Sequence, residues 1–169
     1  MTQKKLISQL IENPLRKDET WCLIDIRWFK QWKKYIGYDS CDNSQSVHEE
    51  LSQFPGPIDN SPLFTTDGPP WDLKERLVGG ELDYVLTPKE GWDYLVSWYG
   101  KQGDQPDIAR KVVLGGLFVK HCKVEVYLVD FKLSQTDNVD NYVTRRFSAA
   151  ATLDNVVMKM KKLLIFGKK

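Results

Sequence analysis

The sequence predicts an α+β fold. Three observations lead there. Apolar residues recur at threes and fours near 3–12, 26–36 and 88–99, the spacing of helices with one buried face. Short runs of strand formers lie near 21, 82, 109 and 120. Between them, residues 39–80 carry DNS, FPGPIDNSP and TDGPP, a density of turn formers that leaves no room for long regular elements. The expected architecture is a three-helix bundle packed with a small three-stranded antiparallel sheet built from the strands near 82, 109 and 120.

The elements follow in order. Leu6, Ile7, Leu10 and Ile11 make the apolar stripe of a first helix, which Asn13-Pro14 ends. Trp21-Cys22-Leu23-Ile24 reads as a buried strand. Asp25 is placed to cap the second helix, whose ridge is Ile26, Phe29, Trp32 and Ile36 and whose stop is Gly37. Leu73 to Val78 has the length of one or two helical turns, and Leu82 to Leu86 alternates like a strand. Thr87-Pro88-Lys89-Glu90 has the form of a capping box, with Pro88 at the first helical position. Trp92, Leu95, Val96 and Tyr99 line one face of that third helix, and Gly100 ends it. Ile108 to Leu114 is a strand, and Leu117 to Leu133 is one long strand or two joined at a bend. A polar turn, SQTDNVDN, precedes a strand at Tyr142 to Phe147 and a helix from Thr152. Trp21, Phe29, Trp32, Ile36, Trp92, Leu95 and Tyr99 are the expected structural core, because large rings and branched chains dominate burial.

Composition narrows the function. The chain has 169 residues, 41% hydrophobic and 12% aromatic, enough for a real core. Lys and Arg number 24 against 23 Asp and Glu, so the basic excess that nucleic-acid binding needs is missing. Three cysteines without CxxC spacing argue against a disulfide scaffold or a metal site, and no cofactor motif is present. The N-terminus is too polar for a signal peptide, and no apolar run reaches the roughly 18 residues of a membrane span. A cytoplasmic or nuclear protein is expected.

The stretch WCLIDIRWFKQWKKYIGYD, then FPGPIDNSPLF, then ELDYVLTPKEGWDYLVSWYG resembles the DUSP domain of ubiquitin-specific proteases, most closely the subgroup in which a ubiquitin-like domain follows. The resemblance implies a tripod-like arrangement of helices and sheet over 1–122. It also implies a partial ubiquitin-like β-grasp (ββα) over 123–169, in which the chain stops before the strands that would close the sheet. No flexible linker separates the two, so a fairly fixed mutual orientation is expected. Such modules are non-catalytic: they recruit protein partners and modulate the protease catalytic domain in the ubiquitin conjugation pathway. Stand-alone interaction proteins with the same module are the alternative; a small thiol enzyme is a third reading. The family's cysteine box and late histidine box are both absent, so no catalytic residue is assigned. His121 and Cys122 are neighbours on a strand and point to opposite faces. Cys41 and His48, with Asp39 and Asp42, fall in the irregular segment, where solvated loop residues are the simpler reading.

Two surfaces are candidates for partner binding. Pro55-Gly56-Pro57-Ile58 is held extended by its prolines, while Gly56 permits close backbone approach. Packing on its own domain is the favoured reading, and a docking element the other. Arg27, Lys30, Lys33 and Lys34 form a basic face on the second helix. Such a face is usually only solvated, but it would suit an acidic partner. The sequence sets no oligomeric state. Gly79-Gly80 and Gly115-Gly116 lack phosphate-loop spacing and read as turns.

Overall fold

The computed structural model describes residues 1–39, 53–116, 118–135, 138–148, 151 and 153–166. It is a mixed α+β structure with four helices and antiparallel sheets among the described residues. The chain divides into two compact units, Met1–Pro14 with Glu19–Arg110, and Leu15–Asp18 with Lys111–Lys169.

In the first unit, α1 (Gln3–Ile11) starts at Thr2, whose hydroxyl accepts from the Lys5 N–H. β1 (Thr20–Asp25) is buried from Trp21 onward on both faces, which is why it reads as an unbroken apolar run. It pairs antiparallel with β2 (Tyr84–Pro88), from Trp21 opposite Pro88 to Asp25 opposite Tyr84. On its other side the Leu23 N–H donates to the Ile108 carbonyl at 3.1 Å. α2 (Ile26–Tyr35) is capped by Asp25, whose Oδ1 accepts from the Arg27 N–H. It closes in a Schellman turn: Gly37, at φ +63°, donates to Lys34, and Tyr38 to Lys33. α3 (Lys89–Tyr99) ends at Gly100. The core gathers Ile7, Cys22, Ile24, Phe29, Trp32, Ile58, Val85, Trp92 and Leu95 from all three helices, both strands and the loop. Trp32 is wholly buried between Phe29 and Tyr38, with ring centroids 5.2 and 5.9 Å away. Its indole N–H finds no acceptor among the described residues. Burial pushes the Tyr99 phenol pKa up, and its hydroxyl donates to Gln3 Oε1 at 2.7 Å.

In the second unit, β3 (Ala109–Gly115), which begins in the first, pairs antiparallel with β4 (His121–Val124) from Val112 opposite Val124 to Gly115 opposite His121. The Asp18 N–H donates to the Val112 carbonyl. β5 (Val129–Gln135) and β6 (Asn138–Phe147) form a two-stranded hairpin, and α4 spans Leu153–Phe166. The hairpin register puts Val129, Phe131, Val143 and Phe147 on one face, where Phe131 meets Phe147 edge-on at 5.7 Å.

The run from 117 to 133 takes the second of its two expected forms: β4 and β5 are separate strands joined through a bend. Expectations differ from the structure in five places. The sheet expected to hold three strands has four, in the order β2-β1-β3-β4, with β1 inside it. Ile36 and Tyr99, expected in the core, are only partly buried against it. Leu73 to Val78 is not helical: Leu73 makes a bridge to Phe64 instead, and the Lys74 N–H donates to Leu63. β2 begins at Tyr84, leaving Leu82 exposed in a turn. There is no capping box at Thr87, because β2 runs on through Pro88 and buries the Thr87 side chain under α3. Gly91 is there for the same reason: a Cβ would stand 2.2 Å from Thr87 Oγ1.

Candidate partner-binding surface

The loop that carries Pro55-Gly56-Pro57-Ile58 is tied down at three points. Ile58 is buried in the core; its N–H donates to the Gly100 carbonyl at 2.9 Å, and its own carbonyl accepts from Gln102 at 2.9 Å. The Trp28 indole donates to the Gly56 carbonyl at 3.1 Å. Gln31 Nε2 donates to the Gln53 carbonyl at 2.8 Å. Pro55 and Gly56 are half-buried and Pro57 is exposed. Gly56 sits at φ +72° with open space where a Cβ would be, so it serves the turn rather than a close approach. Packing therefore accounts for Ile58, and the surface left by this motif is Gly56 and Pro57.

Beyond Ile58 lies a buried polar knot that sequence reading missed. Asn60 accepts from the Asp25 N–H at 2.8 Å and donates to the Leu23 carbonyl at 3.1 Å, while its own N–H donates to Gln105 Oε1 at 2.9 Å. Gln105 Nε2 in turn donates to Asp59 Oδ1 and Ser61 Oγ. Burial alone would raise the Asp59 pKa, but these bonds and those from Ser61 outweigh it and hold the carboxyl below its ordinary value. Asp25 is shifted the other way: burial raises it against the N–H bonds from Arg27 and Trp28. The knot fixes β1 to the loop, and all its groups are matched, the pattern of a structural network.

On α2, Arg27, Lys30 and Lys34 are exposed. Lys33 is different. It pairs with Glu81 at 3.4 Å and Asp39 at 3.9 Å and lies over the Phe29 and Tyr38 rings. Trp28, outside the expected ridge, is buried and meets Tyr99 edge-on at 5.4 Å. Next to it, Phe54 remains 60% and Tyr35 42% exposed; the two rings stand perpendicular at 5.5 Å, and Phe54 also touches Tyr99 at 5.6 Å.

Of the two described thiols, Cys22 is placed against nucleophilic use. Cys22 is buried and its pKa is pushed up to about 12, chiefly by burial, so it stays a neutral thiol at ordinary pH. Cys122 is half-buried beside an exposed His121 whose Nδ1 lies 3.4 Å from the Val119 carbonyl. Cys41 and His48 lie outside the described residues. No His, Cys, Asp and Glu group able to hold a metal occurs among the described residues. No helix there is long and apolar enough to cross a membrane.

Residues 18–114 match the family model of the DUSP domain. The chain belongs to the DUSP domain family. The matched span takes in β1, α2, the tied loop, β2 and α3, and ends within β3. Similarity to named proteins reaches further. The chain is 53% identical over 162 residues to ubiquitin carboxyl-terminal hydrolase 15 of Rattus norvegicus, covering 96% of this chain and 17% of that protein. The Homo sapiens protein of the same name is also 53% identical, with 16% of it covered. Ubiquitin carboxyl-terminal hydrolase 4 of Rattus norvegicus is 49% identical over 162 residues, 16% of its length. The chain thus spans about a sixth of the relatives it matches. In this DUSP domain the organising ridge of α2 and the tied loop fall inside the family match, so the candidate surface is part of the family module.

Proposed function

We propose that this chain is a non-catalytic, partner-recruiting and regulatory region of a ubiquitin-specific cysteine protease. The observation that carries the reading is its similarity, along 96% of its length, to ubiquitin carboxyl-terminal hydrolases of which it spans only 16–17%. Residues 1–122 act as the DUSP domain, with its helices and sheet in a tripod-like arrangement. Residues 123–169 contribute the first ββα part of a ubiquitin-like β-grasp; the order β5, β6, α4 supports that reading. Its partners are proteins, among them the protease catalytic domain, whose turnover of bound ubiquitin it modulates. The surface assigned to them is Gly56, Pro57 and the α2 face of Arg27, Lys30 and Lys34, with Pro55, Ile58 and Lys33 holding that surface in place. A cytoplasmic or nuclear setting fits three sparse cysteines without CxxC spacing. No cofactor is required.

The test is a pair of measurements. Multiple-turnover cleavage of a ubiquitin conjugate by the longer protein should change when this region is deleted and be restored at least in part when the chain is added back. The isolated chain should not be labelled by a ubiquitin-derived thiol probe. Unchanged turnover on deletion, or probe labelling abolished by Cys122→Ala, defeats the reading.

A further inference from the structure

We infer that the exposed Tyr35–Phe54 ring pair and the basic strip of Lys30 and Lys34 farther round the outer side of α2 form a docking surface for an acidic peptide segment carrying one aromatic or large apolar anchor; the inference rests on the partner-recruiting role above and names the partner's chemistry.

The geometry that presents Phe54 is built. The Gln31–Gln53 bond fixes the backbone just before it, and the Trp28–Gly56 bond fixes it just after. Between these ties the ring leans on Tyr35 and Tyr99 but keeps most of its surface in water. An aromatic ring held in place and left exposed offers a partner a large apolar contact at little ordering cost. Its neighbours on the helix supply the second half of the site. Tyr35, Gln31, Arg27, Lys34 and Lys30 succeed one another around the outer side of α2 at 100° per residue, so a basic strip begins on the far side of Gln31 from the aromatic pair. Lys33, on the inner margin, already has two carboxylates, whereas Lys30 and Lys34 have none among the described residues. Arg27 lies on the same strip, and its charge also acts on the buried Asp25.

Charge complementarity selects the occupant. A second copy of this chain meeting the surface about a two-fold axis would bring lysine against lysine, which like-charge repulsion opposes. A nucleic acid would find a few cations on a chain of net charge +1, too few to hold a phosphate backbone at physiological salt. An acidic peptide needs only two or three carboxylates for the strip and one side chain for the rings.

The experiment is a titration of the isotope-labelled chain, followed by amide NMR. The probe is a 12-residue peptide of Asp, Glu and Ser around one central Phe. Two control peptides replace either the acids by their amides or the Phe by Ala, and a single-stranded oligonucleotide is a third. Amide shifts should gather on residues 27–35 and on Gln53, Phe54, Gly56 and Ile58 with the first peptide. Its Kd should rise about tenfold or more with either control peptide, with the Lys30→Glu, Lys34→Glu double variant, or with Phe54→Ala. The substituted side chains are exposed, and an unchanged far-UV spectrum and melting midpoint establish that each variant is folded. Absence of shifts at about 1 mM peptide, binding that survives both variants, or tighter binding of the oligonucleotide overturns the inference. Loss of the peptide result with an intact effect of the region on the longer protein's turnover rejects this surface alone. Loss of that turnover effect rejects the regulatory reading.

Discussion

Asn60 offers the most discriminating perturbation of the fold. Its side chain makes two bonds to buried backbone groups, accepting from the Asp25 N–H and donating to the Leu23 carbonyl. Asn60→Ala leaves both without their partner. A buried polar group so stranded costs about 1–3 kcal/mol, so the pair amounts to about 2–6 kcal/mol, with the lower end applying if water enters the space. Domains of this size are stable by about 5–15 kcal/mol, so the variant should lose a large fraction of its stability. Urea denaturation followed by tryptophan fluorescence measures the loss as a lowered midpoint with an unchanged slope. Asn60→Asp separates the bonds from the space they fill. Protonated, an aspartic acid can still accept from Asp25 and donate to Leu23; ionised, it has no donor and sits buried beside Asp25 and Asp59. Its folded pKa is therefore raised. With that sign, the variant is near the parent's stability below about pH 3.9, the unfolded aspartate value, and falls away from it as pH rises through the folded value. A loss under about 1 kcal/mol for Asn60→Ala, or an Asn60→Asp deficit that does not grow with pH, would refute the argument.

Two further outcomes are expected. Gly91→Ala should destabilise in spite of the roughly 1 kcal/mol that alanine gains over glycine in a helix, because its Cβ meets Thr87 Oγ1; adding Thr87→Ala should recover part of the loss, and strictly additive losses in a double-mutant cycle would count against the clash. Cys22, with its thiol pKa raised from 9.0 to about 12, contributes stability that is whole below pH 9 and lost as pH rises toward 12, so alkaline unfolding should be shallower in Cys22→Ala, and alkylation of Cys22 should occur only as fast as the chain unfolds; labelling at the rate of a free thiol in the folded protein would show the site to be open.

Much of the first unit was legible because its signals are local. The Phe29–Trp32 ridge, the Asp25 cap and the Gly37 stop each lie within a few residues of the feature they determine, and hydrophobic period and capping chemistry read such features directly. The tied loop was not legible beyond its turn formers. Asn60 has the same composition signal as any loop asparagine; it is buried because Leu23, Asp25 and Gln105, far away in sequence, converge on it. Trp28 escaped the ridge for a related reason. It lies on the flank of α2, and that flank is covered by the Gly56 loop together with Tyr99 at the end of α3, both far away in sequence. Its signal was the presence of a fourth large ring on a ten-residue helix, too wide an apolar arc for one-sided burial. Thr87-Pro88-Lys89-Glu90 shows the opposite failure. The local pattern of a capping box is present, but β1 pairing extends β2 over Thr87 and tertiary structure takes the residue away from the helix start. The candidate surface was half legible: the lysines stand out in sequence, whereas the exposed pairing of Tyr35 with Phe54 requires the chain to fold back across α2.

The lock on Asn60 also governs how the protein ages. Asparagine followed by serine is prone to deamidation, in which the serine backbone nitrogen attacks the asparagine side-chain carbonyl and expels ammonia, and water then opens the cyclic imide to leave an acid. In the fold the Ser61 N–H donates to Asp59 Oδ1 and the Asn60 amide is fastened at both ends, so neither atom can swing to meet the other. The unfolded chain has no such restraint. Each excursion out of the native state therefore carries a chance of converting position 60 to an acid, irreversibly, and a chain so converted returns at neutral pH to a weakened fold that opens more often. Damage at this one amide would accumulate with its own acceleration, making the deamidated fraction of a stored sample a chemical record of how often the domain has come apart.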